Sequence, residues 1–324
     1  MNKKTCLIAL WHKYQFWQIP QICIDHLISS TPKINFIIAW NQAELIEKIG
    51  NADILYCWEI QEKHLKLAKN LVWIQLASSG LDKRIPHNFF AQYNIALTNM
   101  KGVGASAVAE FVLGVIISVN RGLWKSVIDS STRKWDREHF LKDETYAKSL
   151  PETTVGILGF GSIGSQIYSL LKPIGLNVKI CSRNRIINDN FFPISQLHVF
   201  LASLDYLIIS IPLNEETRHL IGDEALGLMS ASTFIINIAR EEIIDRACLL
   251  NALAERKIRG ALLDVLAHEP PTADTLYPDD NNIVITPHIA SLSKNFWHDS
   301  LNVFCSNVGL FLDGSNKTNE VTSF

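Results

Sequence analysis

Residues 154–164 read Thr154-Val155-Gly156-Ile157-Leu158-Gly159-Phe160-Gly161-Ser162-Ile163-Gly164. A short apolar strand runs straight into glycines at G-x-G-x-x-G spacing, and Gln166 to Leu171 continues as a helix. Gly175 stops that helix, and Val178–Cys181 supplies a second strand, which completes a βαβ unit. Each glycine has its own task. Gly159 turns the chain, Gly161 lets backbone approach a pyrophosphate, and Gly164 packs helix against strand. The helix N-terminus then presents free N–H groups to the anion. Glycines at this spacing also occur in tight turns without a ligand, and it is the surrounding βαβ unit that favours a dinucleotide. Gly159, Phe160, Gly161, Ser162, Ile163 and Gly164 are therefore the expected cofactor loop.

Outward from this unit, strands are predicted at Tyr206–Ser210, Phe234–Asn237, Gly260–Val265 and Ile283–Thr286. Upstream, Cys6–Leu10, Phe36–Ala39, Ile54–Cys57 and Trp73–Leu76 read as buried strands, with helices over Ala43–Ile49 and Lys63–Ala68 between them. Such alternation belongs to parallel sheets covered on both faces. A helix from about Ser106 to Asn120 is apolar on most sides, which suits burial between domains or subunits. A polar segment, about Lys125 to Pro151, separates it from the βαβ series, and about Asn295 to Leu312 is helical again. At 324 residues the chain exceeds one ordinary hydrophobic core, so two α/β domains with parallel sheets are expected.

A formal net charge of -2 and dispersed Lys and Arg residues give no electrostatic case for nucleic acid or an anionic membrane as partner. The six cysteines stand far apart with no C-x-x-C pair, which supports neither a metal cluster nor a disulfide framework. Reduced thiols in a cytosol fit best. The apolar run after Lys4 ends at Trp11-His12-Lys13-Tyr14, too soon for a signal peptide, and no stretch approaches the roughly 20 apolar residues of a membrane span.

The end of the second strand bears on the cofactor's ribose. An NAD site usually places an acidic residue there, but this chain has Ser182-Arg183-Asn184-Arg185. A carboxylate would repel a 2′-phosphate, whereas Arg183 can pair with it and Ser182 can donate a hydrogen bond. The same residues also suit a solvated basic turn. NADP(H) is the expected preference, with NAD(H) the other candidate.

Arg240, Glu269 and His288 each lie just past a predicted strand, where parallel sheets bind ligands. Reduction of a 2-keto acid needs a cation for the carboxylate, a proton for the developing alkoxide, and a hydride from nicotinamide. Arg240 suits the first with its planar fork, and His288 suits the second because imidazole titrates near neutral pH. Glu269 beside His288 would orient it and favour its protonated form. Singly, each has a plainer reading as a core or surface residue, and only their arrangement after the nucleotide fold argues for catalysis.

The chain here resembles the D-isomer-specific 2-hydroxyacid dehydrogenases. The resembling segments are VGILGFGSIG (155–164), SIPLNEETRHLIG (210–222), INIAREEIID (236–245), ALLDVLAHEP (261–270) and TPHIA (286–290), with LASSGLDKR (76–84) and NMKGVGASAVAEFVLG (99–114) before them. The resemblance implies that Arg240, Glu269 and His288 are the catalytic trio. It implies that backbone N–H groups around Ser79 and Gly80 hold the substrate carboxylate, together with Arg240. It also implies that Asp264 meets the nicotinamide carboxamide, and that Pro212 and Ala239 line the cofactor cleft. Two Rossmann-like domains are implied: a flavodoxin-like substrate or lid domain over 1–98 and 290–324, and a dinucleotide-binding domain over 99–289. A homodimer formed through the cofactor domain is implied as well.

Two departures stand out. The family commonly has Gly after the catalytic Arg, but Glu241 and Glu242 follow here. Glu241 is expected to face solvent, since turned inward it would neutralise Arg240. The missing ribose-binding acid is similar to the NADPH-using glyoxylate and hydroxypyruvate reductases of the family. Trp58, at a strand end, reads either as a pocket wall favouring such small acids or as a core residue. A nucleotide-sensing corepressor and a phosphite dehydrogenase are the alternative functions; formate oxidation is disfavoured, because Gln would be expected where Glu269 stands.

Overall fold

The computed structural model describes residues 3–81, 84–142, 146, 148–183, 190–272, 277 and 282–322. By packing, the chain divides into two compact units, Met1–Val103 with Ser293–Phe324, and Gly104–Leu292.

In the first unit, β1 (Lys4–Ala9), β2 (Ile34–Ile38), β3 (Ile54–Cys57), β4 (Trp73–Leu76) and β5 (Ala96–Thr98) pair in parallel. Buried on both faces, β3 and β4 are continuous apolar runs apart from Gln75, as strands of a doubly covered sheet should be. The strand order is the flavodoxin-like one, with β3 and β2 flanking β1. The helix Phe296–Leu312 returns to this unit: Phe304 stacks on Tyr56 at 4.4 Å and lies 5.6 Å from Trp73. Its Asn307 donates to Gln75 Oε1 at 3.1 Å, which also accepts from Thr98 Oγ1 at 2.7 Å, so the buried polar groups satisfy one another.

In the second unit, β6 (Thr154–Leu158), β7 (Asn177–Ser182), β8 (Phe191–Pro193), β9 (Tyr206–Ile209), β10 (Phe234–Asn237), β11 (Gly260–Leu263) and β12 (Ile283–Ile285) form one parallel sheet. Its order, β12-β11-β10-β9-β6-β7-β8, is that of the doubly wound dinucleotide-binding fold. The winding reverses between β6 and β9, which places the glycine loop at the topological switch point. Helix Ala105–Asn120 packs one face on the core through Val108, Val112, Ile116 and Val119. Tyr206 donates to its Asn120 Oδ1 at 2.6 Å.

The expected strands recur within about two residues. Several elements lie beyond them. β5 and β8 are three residues long and the antiparallel β13 (Glu320–Val321) only two, too short to show a period. The polar stretch after Lys125 holds the helices Leu123–Ser131 and Arg137–Lys142, and Gln21–Ser30 is a further helix. Among the described residues no single helix is long and apolar enough to cross a membrane. All six cysteines are free thiols.

Candidate active site

The loop after β6 leaves little choice of residue at two of its three glycines. Gly159 adopts φ +103°, and a Cβ there would lie 2.8 Å from the Ser210 carbonyl oxygen. At Gly164 a Cβ would fall 2.1 Å from the Gly159 carbonyl oxygen, so helix and turn approach only without a side chain. At Gly161 a Cβ would meet nothing within 4 Å. No side chain caps the helix Ser162–Leu171 at that end. Open space over an uncapped helix N-terminus fits a phosphate group. Phe160 and Ile163 pack on the core instead, Phe160 edge-on to Phe191 at 5.2 Å.

At the end of β7, Ser182 is buried and Arg183 exposed, with Arg183 Nη1 3.5 Å from Glu216 Oε2. Glu216 lies within SIPLNEETRHLIG (210–222), six residues after its opening Ser210, and sequence reasoning gave it no role. Arg185 lies outside the described residues. Pro212 is exposed after β9, its carbonyl accepting from Thr217 Oγ1 at 2.7 Å. Ala239 is buried after β10 and donates its N–H to Asn237 Oδ1 at 3.0 Å.

Arg240, Glu269 and His288 follow β10, β11 and β12, three neighbouring strands, and so share the carboxyl edge of the sheet. His288 Nδ1 lies 2.8 Å from Glu269 Oε2. An ionised carboxylate only accepts, so Nδ1 carries the proton and Nε2 is left as the outward nitrogen. Glu269 Oε1 accepts from the Leu266 N–H at 2.9 Å. Burial pushes the Glu269 carboxyl up, but the hydrogen bonds from His288 and Leu266 and the charges of His288 and Arg240 outweigh it. The net result is a carboxyl below its ordinary value. Arg240 Nη1 donates to the Ala239 carbonyl at 2.7 Å, and its own carbonyl accepts from Asn237 Nδ2 at 2.8 Å. His288 sits at φ +54°, a left-handed conformation costing a bulky residue about 1–3 kcal/mol.

Asp264 holds that strained turn. It is 1% exposed, and its carboxylate accepts from Thr286 Oγ1 at 2.6 Å, Ile289 N–H at 2.9 Å and Ala290 N–H at 3.0 Å. Thr286 was not singled out from the sequence.

Glu241 does not face solvent as expected. It is 6% exposed, and its carboxylate accepts from the Ala267 N–H at 2.5 Å and the Tyr277 hydroxyl at 2.8 Å, with Arg246 Nη1 at 3.5 Å. Those partners take the inward carboxylate, and Arg240 is not among them within the described residues. Burial, then the Glu241 charge, push the Tyr277 phenol far up, so it remains a neutral donor.

In the other unit, Ser79 and Gly80 lie in the loop after β4. Ser79 Oγ donates to the Met100 carbonyl at 2.8 Å, and Asn99 Nδ2 donates to the Ser79 carbonyl at 2.8 Å. Trp58, after β3, is half-buried: its indole N–H donates to the Trp17 carbonyl at 3.1 Å, and its ring stacks on Phe296 at 6.1 Å.

A doubly wound sheet with a phosphate-fitting turn at its switch point and an Arg, a Glu and a His at its carboxyl edge defines a dinucleotide-dependent oxidoreductase fold. The family model described as "D-isomer specific 2-hydroxyacid dehydrogenase, NAD binding domain" matches residues 113–290, and the chain belongs to that family of oxidoreductases of small 2-hydroxy and 2-keto acids. It is similar to a glyoxylate reductase of Thermofilum pendens, 32% identical over 265 residues that make up 78% of this chain and 76% of the relative. It is 29% identical over 276 residues to a D-3-phosphoglycerate dehydrogenase of Methanocaldococcus jannaschii; the match takes in 81% of this chain but about half the length of that relative, 50%. In fold it is similar to a D-isomer specific 2-hydroxyacid dehydrogenase from Xanthobacter autotrophicus Py2 crystallised with NADPH and MES. The TM-score there is 0.79 at 22% identity, covering 98% of this chain and 97% of the other.

Proposed function

We propose that this chain is a 2-keto acid reductase, or D-2-hydroxyacid dehydrogenase in reverse, that prefers NADP(H) and acts on a small acid such as glyoxylate or hydroxypyruvate. The observation that carries the reading is the 2.8 Å contact of His288 Nδ1 with Glu269 on the strand edge that also bears Arg240. The likeness to a glyoxylate reductase supports the substrate class, and Arg183 in place of an acid supports the 2′-phosphate.

The bound nicotinamide would supply the hydride. Gly159 to Gly164 would hold the pyrophosphate on backbone N–H groups, and Ser182 and Arg183 the adenosine end. Arg240 grips the substrate carboxylate with two parallel hydrogen bonds, and the N–H groups of Ser79 and Gly80 are assigned to substrate binding. His288 delivers the proton on Nε2 to the keto oxygen as charge develops there, while Glu269 fixes the ring and stabilises the imidazolium. Asp264 keeps the His288 turn in its strained conformation, a task that adds to the cofactor contact the resemblance implies. Segment 1–98 with 290–324 is assigned to the substrate and 99–289 to the cofactor. The functional form is a homodimer.

An absorbance assay at the reduced-nicotinamide band tests this, with NADPH and NADH against glyoxylate, hydroxypyruvate, pyruvate and phenylpyruvate. NADPH-dependent turnover is expected with the smaller acids. His288→Ala should then lower kcat by about 10²-fold or more, the scale of general acid catalysis. Dinucleotide binding without turnover of any of the four would sink the reading.

A further inference from the structure

We propose that Glu241 is a positioning residue: it ties the strand end that carries Arg240 to the loop that carries Glu269, and so sets where Arg240 and the His288–Glu269 pair meet one substrate. The inference rests on the function proposed above for that trio.

The tie is direct. Glu241 follows Arg240 in the chain, and its Oε2 accepts from the Ala267 N–H at 2.5 Å, two residues before Glu269. The amide before it, Leu266, donates to Glu269 itself at 2.9 Å. Consecutive amides of one loop are thus held by two carboxylates, one from the loop and one from the neighbouring strand end. A buried carboxylate is costly unless it is paired and hydrogen-bonded, and Glu241 is both. Its Oε1 takes the Tyr277 hydroxyl at 2.8 Å, Arg246 Nη1 stands at 3.5 Å, and the Arg246 guanidinium lies over the Tyr277 ring at 4.2 Å. The inward charge is therefore matched by Arg246 and by neutral donors. Glycine at this position would give Ala267 no such acceptor. Gln could keep the carbonyl on Ala267 and turn its amide towards the Tyr277 oxygen, whereas Ala cannot reach either.

The test uses the full-length protein as Glu241→Ala, Glu241→Gln, Tyr277→Phe, Glu269→Gln and the Glu241→Ala/Glu269→Gln double variant. Two quantities are read: amide hydrogen exchange over 264–270, and kcat with KM for the keto acid and for NADPH. Glu241→Ala is expected to speed exchange in that segment and to lower kcat about tenfold or more, the effect of misplacing a reacting group by a fraction of an ångström to an ångström. KM for NADPH should stay within about twofold, and Glu241→Gln should recover most of the loss. Once Glu269 is already Gln, removing Glu241 should cost less than about twofold more, since coupled groups are non-additive. An equal cost with and without Glu269, or unchanged exchange over 264–270, would overturn the proposal. If Glu241→Ala fails to fold, Tyr277→Phe decides by the same two readouts, with a smaller change in the same direction. A wild type that turns over no keto acid defeats the proposed function alone, and the exchange measurement then judges the tie by itself.

Discussion

At the scale of single residues, two carboxylates have opposite relations to their cationic neighbours. Glu269 is held below its ordinary pKa despite partial burial, so it contributes stability above the unfolded value of about 4.3 and loses it as pH falls through the lower folded value. The melting temperatures of wild type and Glu269→Gln should therefore converge on acidification from about pH 6 to about pH 3. A gap that widens instead would mean that the His288 contact does not persist in solution. Glu216 is the other case. Its pair with Arg183 is exposed on both sides and so worth at most about 1 kcal/mol, which a 2′-phosphate can displace. Glu216→Gln should raise the NADPH-to-NADH ratio of kcat/KM by about 1.5- to 5-fold, the kinetic equivalent of such a pair. A shift towards NADH would show that Glu216 instead holds Arg183 in place for the 2′-phosphate.

At the scale of elements, the turn from β6 into its helix separates packing from binding. Gly164→Ala drives a methyl group into the Gly159 carbonyl and should unfold the turn, with melting temperature and dinucleotide affinity lost together. Gly161 has φ −81°, open to any residue, and nothing of the protein within 4 Å of the added methyl. Gly161→Ala should therefore melt like wild type yet bind NADPH about tenfold or more weaker, measured by titration calorimetry, because the methyl occupies the place of the phosphate. Equal affinities would move the pyrophosphate away from this turn. The ends of β10, β11 and β12 divide in the same way: Arg240, Glu269 and His288 are the residues proposed for the chemistry, while Asn237, Glu241 and Asp264 hold their loops.

At the scale of the whole molecule, the second unit carries apolar surface that a lone chain does not cover. Trp135 is 91% exposed, and Leu123, Val127 and Leu141 are largely exposed on or between the helices Leu123–Ser131 and Arg137–Lys142. Such residues suit an interface between copies. Light scattering after size exclusion should show a dimer for the wild type and a single chain for Val127→Glu/Trp135→Glu. A wild type that runs as one chain at micromolar concentration would remove the dimer from the proposal.

The sequence by itself determined what depends on neighbours along the chain. Strand-to-helix order around 154–182, the glycine spacing and the continuous apolar runs are local patterns, and they were enough for two parallel α/β sheets and for Arg240, Glu269 and His288 at strand ends. Only the tertiary structure decided what depends on partners far away in sequence. Glu241 turns inward because acceptor-seeking groups 26 and 36 residues on, Ala267 and Tyr277, arrive beside it. Asp264 is occupied by a turn more than twenty residues later, and β13 exists only because Glu320 and Val321 pair with the edge strand β5. Burying a carboxylate is unfavourable until its donors are in place, and no local pattern encodes donors that only the fold brings together.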